Sequence, residues 1–152
     1  MHDRLRELQE ILAQEIPITQ HLGITVESYD NEGLTLKAPL RQNINHKSTA
    51  FAGSLNALLT LTGWGLLWLL LKERDMHVHI VIQESMSSYL RPVTRDFSAW
   101  CHKPDPAYIT RLETTLKRKG KARLQLQSEI REGDIVAVTF SGRYVVFLIE
   151  RA

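Results

Sequence analysis

The 152-residue chain carries 19 Lys and Arg against 17 Asp and Glu, a net charge of +2, with 43% hydrophobic and 24% charged residues. A chain of this size buries roughly 68–70% of the surface its unfolded form exposes, so one folded domain over residues 1–152 is expected, and disorder, collagen-like repeats and a charged tail are excluded. Near-neutral charge leaves no electrostatic footprint for nucleic acid, the lone Cys101 rules out an internal disulfide, and the charged start of the chain lacks a signal-like apolar run. A cytoplasmic location is the expectation.

Leu5, Leu8, Leu12 and Ile16 recur at helical spacing among charged residues and predict an amphipathic helix ended by Pro17. Leu22, Ile24 and Val26, the turn Asp30-Asn31-Glu32-Gly33, and Leu34, Leu36 and Ala38 then read as a hairpin. After an aperiodic stretch, residues 50–71 contain no charge and predict one long helix from about Ala52 to Lys72. That length approaches a bilayer span. However, Ser54, Asn56, Thr60, Thr62 and three glycines interrupt it, and a helix apolar on nearly all sides also suits the centre of a soluble domain, so no membrane span is expected.

The second half reads mostly as strands. Val78, Ile80 and Ile82 open a long one that runs through Ser85 to Leu90 before Pro92. Asp96 to His102 alternates again, with Phe97, Ala99 and Cys101 sharing one face. Asp105 as N-cap, Pro106 at the first helical position, an Ile109, Leu112, Leu116 stripe and a closing Gly120 predict a helix. Strands around Leu124 to Ile130 and from Ile135 to Ile149, joined by a turn at Arg131–Asp134, complete an α+β order in which an antiparallel sheet would wrap the long helix.

The most informative stretch is Asn43 to Ser54, a polar loop running into the start of the uncharged helix. The first turn of a helix exposes backbone N–H groups without internal partners, and the macrodipole adds positive potential, so a carbonyl oxygen gaining negative charge is stabilised there. Ala52 and Gly53 are small enough to admit one. The same residues also serve a plain helix start with Asn45 capping a turn.

Asn45-His46-Lys47-Ser48-Thr49-Ala50-Phe51-Ala52-Gly53-Ser54-Leu55, followed by Gly63-Trp64-Gly65, resembles the hot-dog fold thioesterases, and in particular a bacterial thioesterase-like domain found alone or fused to an acetyltransferase-like domain. The resemblance implies an antiparallel sheet wrapped around a long central helix, and a homodimer or dimer of dimers with sites at the subunit junction. It implies an acyl-CoA or acyl-carrier-protein thioester as substrate, with no cofactor and no metal. Asn45 falls at the family's loop asparagine, which orients the thioester carbonyl or the water, and Ala52 and Gly53 at its backbone donors. Phe51 stands at the family's histidine, and Thr60, fifteen positions after Asn45, stands at the acidic position. A threonine cannot act as base unaided, so Glu84 on the following strand is the substitute candidate, with the bland alternative of an exposed strand carboxylate.

Ser85 invites the role of orienting water, while Asn56 and Thr60, one turn apart, either line an acyl pocket or bond back to helix carbonyls. His46 carries the dehydratase alternative, and loss of the acidic residue carries a second, a non-catalytic acyl-carrier binding module. Lys117, Arg118, Lys119, Lys121 and Arg123 either cap a helix or form a basic rim for a phosphate-bearing or acidic carrier.

Overall fold

A computed structural model describes residues 2–149. Its axis is the uncharged helix, α3 (Ala52–Lys72), at the bounds the sequence predicts. Thirteen of its 21 residues are buried, nine of them leucines. Each buried leucine contributes about 1.5–3 kcal/mol relative to exposure, which holds the helix to the sheet more strongly than its interior glycines loosen it. By length and composition α3 could cross a membrane, but here strands cover its apolar surface.

Ahead of α3 come α1 (His2–Glu15), α2 (Ile18–Leu22), β1 (Thr25–Tyr29), β2 (Gly33–Ala38) and a 3-10 turn at Arg41–Asn43. After it follow β3 (Val78–Tyr89), β4 (Phe97–His102), α4 (Pro106–Lys119), β5 (Lys121–Glu132) and β6 (Ile135–Leu148). Among the described residues these strands form one antiparallel sheet in the order β1-β2-β4-β5-β6-β3. Its inner face, with Leu34, Leu36, Ala99, Cys101, Ile130, Phe140, Tyr144 and Val146 buried, wraps α3 as the α+β hot-dog expectation requires.

One element departs from the pattern. Leu22 closes the short helix α2 instead of opening a strand, because Gly23 takes φ 71° and ends the turn with its N–H on the Gln20 carbonyl, while Thr19 Oγ1 donates to the Leu12 carbonyl at 3.0 Å.

The two edges of the sheet differ. At β1, the Gln9 side chain of α1 donates to the Ile24 carbonyl at 3.1 Å and accepts from Val26 N at 2.7 Å, so helix α1 covers that edge. At β3, which pairs only with β6 among the described strands, the other edge is free, and Val81 and Met86 are 50% and 73% exposed.

Helix α4 obeys its sequence signals. The Asp105 carboxylate accepts from Ala107 N at 2.9 Å, Pro106 sits in the first turn, and Gly120 ends the helix at φ 73°. Asp105→Ala is expected to cost about 1 kcal/mol, which lowers Tm by roughly 2–4 °C in a thermal melt; an unchanged Tm would mean the cap contributes nothing. Cys101 is buried as the alternation predicts, and burial pushes its thiol up to about 11, leaving it protonated and unreactive at neutral pH.

Candidate active site at the start of the central helix

The loop before α3 is built by Asn45. Its Oδ1 accepts from Lys47 N at 2.9 Å and Thr49 N at 3.2 Å, and its Nδ2 donates to Thr49 Oγ1 at 2.9 Å, with a longer 3.5 Å contact to the Ala50 carbonyl. An asparagine suits this because one planar amide accepts twice and donates twice. The turn closes through Ser48, which takes φ 61°, and Asn45 N donates to the Thr49 carbonyl at 2.8 Å. Ala50 N then bonds the Val93 carbonyl at 2.8 Å and Phe51 N the Asn43 carbonyl at 2.7 Å, fixing the entry of α3 between two segments. Asn45 is thus first a loop organiser, and one amide hydrogen, on the long contact, is weakly used.

The helix start is open. Phe51 is the N-cap residue, in extended geometry at φ −66° and ψ 131°, and offers no side-chain acceptor. Ser54 N and Leu55 N both bond the Phe51 carbonyl, at 3.0 and 3.1 Å. The N–H groups of Ala52 and Gly53 have no acceptor among the described residues, and both residues are exposed. Two unpaired donors at the positive end of a 21-residue helix form an anion-stabilising position. A Cβ on Gly53 would meet the edge of the Phe51 ring, which is exposed and has room to turn aside. Beside this turn runs a groove of about 310 Å³ lined by Asn45, Thr49, Ala52, Tyr89, Arg91 and Val93 among others. Tyr89 Oη donates to the Ala52 carbonyl at 3.3 Å.

Residues 5–148 match the family described as "Putative thioesterase (yiiD_Cterm)". The chain belongs to this thioesterase family. It is similar to a "putative thioesterase" from Shewanella oneidensis, with 34% identity, TM-score 0.87 and coverage of 95% of this chain and 98% of that one. A protein of unknown function from Chlorobaculum tepidum TLS is 33% identical over 93% of each chain, with TM-score 0.89. A thioesterase from Haemophilus influenzae shares the fold at 16% identity and TM-score 0.75, covering 97% of this chain and 92% of that one.

Within this thioesterase fold, the residues singled out in the sequence do not all meet. Asn45 and Ala52 line one groove, with Gly53 next in the helix and the exposed Phe51 ring lying against it. Asn56 does not bond back to the helix; its Nδ2 donates to Ser87 Oγ on β3 at 2.7 Å. Thr60 contributes its carbonyl, which accepts from the buried Tyr144 hydroxyl at 2.6 Å. His46 is exposed on the loop and does not line the groove.

Glu84 faces the other way from what the alternation predicts. Simple alternation from Ile80 and Ile82 would turn it toward α3, but a bulge between Ile82 and Glu84 inserts Gln83 and reverses the phase. Ser85, Ser87 and Tyr89 pair with Gly142, Phe140 and Val138 and so share the inner face, whereas Glu84 lies opposite Arg143 on the outer face and forms an ion pair with it at 3.4 Å. It stands across the sheet from Asn45. Ser85 is exposed on the edge strand, beside a depression lined also by Glu84, Met86, Gln125 and Arg143 and apart from the groove.

The basic cluster is also displaced. Lys121 pairs with Phe147, which pairs with His79 near the start of β3, while the groove lies at the Tyr89 end. Ten strand residues at about 3.3 Å each separate them by roughly 33 Å within one chain. The sequence reading missed Tyr89 and Arg91; Pro92 marked the end of the strand, but only the tertiary fold brings that end beside Asn45.

Proposed function

We propose that the protein hydrolyses an acyl thioester carried by coenzyme A or an acyl carrier protein, with the carbonyl oxygen held by the N–H groups of Ala52 and Gly53. The observation that carries this reading is that pair of unpartnered, exposed donors at the start of a long buried helix, beside a groove that contains Asn45. As water attacks the carbonyl carbon, negative charge gathers on the oxygen, and donors already aimed there need no reorganisation. The Asn45 amide hydrogen on its long 3.5 Å contact is available to orient the carbonyl or the water. The thiol leaves as the tetrahedral intermediate collapses.

The working unit in this proposal is a homodimer joined along β3. The opposite sheet edge is covered by α1, the β3 edge is free among the described residues, and a half-buried seam of Asn56, Thr60, Trp64 and Trp68 runs down α3, with Trp64 Nε1 donating to the Ile80 carbonyl at 3.0 Å. A second copy would cover that seam and supply the base that the groove lacks. Sedimentation at twice the 17.4 kDa chain mass is the expected result, and a monomer at working concentrations would remove this part. We place its action in the cytoplasm, consistent with a single cysteine kept buried as a free thiol.

A second reading, a module that binds acyl carriers without turnover, is favoured by the absence of any carboxylate or imidazole among the groove's lining residues. Incubation with acyl-CoAs and acyl-carrier proteins of several chain lengths, followed by a free-thiol assay, separates the two. Thiol release is the expected outcome; saturable binding without it selects the module, and an enoyl product selects a lyase.

A further inference from the structure

The titratable side chains lining the groove are Tyr89 and Arg91. Arg91 forms no ion pair with any described residue. The acids near it in sequence are committed elsewhere: Glu132 accepts from Thr94 and Arg95, and Asp96 accepts from Leu40 N at 2.8 Å. The backbone at Arg91 is nevertheless fixed. Leu90 N and Arg91 N both donate to the Ala137 carbonyl, at 2.8 and 3.2 Å, Pro92 follows, and the Val93 carbonyl holds Ala50 N. A guanidinium on a fixed backbone position, beside the positive end of α3 and without an opposing carboxylate, makes the groove attractive to an anion. The neutral thioester carbonyl offers such a cation a single uncharged acceptor, whereas an anionic group offers full charge and two oxygens.

We propose that Arg91 is a specificity-determining residue that takes an anionic oxygen group of the substrate, either a carboxylate at the far end of the acyl chain or a phosphate of the carrier arm. Both present the two oxygens that a guanidinium fork pairs with. The substrate class rests on the thioesterase reading above, whereas the anion preference rests on the groove alone. It makes this protein selective for charged thioesters over neutral ones of equal size.

Calorimetric titration of the full chain with three inert thioethers tests it: S-butyl-CoA, which carries phosphates; S-(3-carboxypropyl)pantetheine, which carries only a carboxylate; and S-butylpantetheine, which carries neither. One charged ligand is expected to bind about ten- to hundredfold more tightly than the neutral one. Arg91→Gln should abolish that difference while binding S-butylpantetheine as the parent does, and Arg91→Lys should keep part of it. Preference for the CoA ligand assigns the phosphate, and preference for the carboxypropyl ligand assigns the acyl carboxylate. Equal binding of all three ligands by the parent, no binding of any, or an Arg91→Gln loss that includes the neutral ligand would overturn the proposal. Because the ligands cannot be hydrolysed, anion-selective binding without thiol release from true thioesters would remove the hydrolase reading and leave Arg91 standing.

Discussion

Gly63→Ala is expected to destabilise the fold by about 2–4 kcal/mol, because the added methyl overpacks a full core and displaces a bonded hydroxyl. A Cβ on Gly63 would lie 2.2 Å from Tyr144 Oη and 2.7 Å from Cζ, and Tyr144 is fully buried. The ring cannot retreat without giving up the 2.6 Å bond from its hydroxyl to the Thr60 carbonyl. Burial holds the Tyr144 phenol well above its ordinary range, so it remains a donor at any working pH. The better helix propensity of alanine, about 1 kcal/mol, offsets only part of the loss. The urea midpoint should fall with an unchanged m-value. In a Tyr144→Phe background the nearest atom becomes the ring carbon, so the double change should cost about 1 kcal/mol less than the sum of the single changes. Strict additivity would show that the hydroxyl is not what Gly63 accommodates.

This contact also marks where sequence reading ends. The uncharged run gave the bounds of α3 directly, and the Asp-Pro start and Gly end of α4 were legible, because in both cases local chemistry and tertiary packing demand the same residues. Which side chain requires the small residue at Gly63 depends on β6 lying against α3, eighty residues on. The facing of Glu84 was hidden for a similar reason. A bulge adds one residue, leaves no mark in the alternation of Gln83-Glu84-Ser85, and turns every later side chain over. The loop at Asn45 was legible as a turn and as a family position, yet its two roles compete: the hydrogen bonds that organise the loop use most of the amide's capacity. Arg91 carried no local signal at all, since an unpaired surface arginine becomes informative only when the groove beside it is known to lack acids.

The sharpest test of the proposed chemistry is Ala52→Pro, expected to lower kcat by about 10²–10³-fold while leaving stability within about 0.5 kcal/mol. Proline is normally the substitution that breaks a helix, but Ala52 occupies the first helical position, where the N–H has no intrahelical partner and the ring's fixed φ suits the turn. The residue before a proline must be extended, and Phe51 already is, at φ −66° and ψ 131°. The Ala52 carbonyl that accepts from Tyr89 is kept. The change therefore deletes one candidate oxyanion donor and little else. Ala52→Gly, which retains the N–H, should preserve turnover and serves as the control for a general disturbance of the helix start. A proline variant that folds normally and hydrolyses within about threefold of the parent would remove Ala52 from the machinery and leave Gly53 as the only backbone donor of the pair.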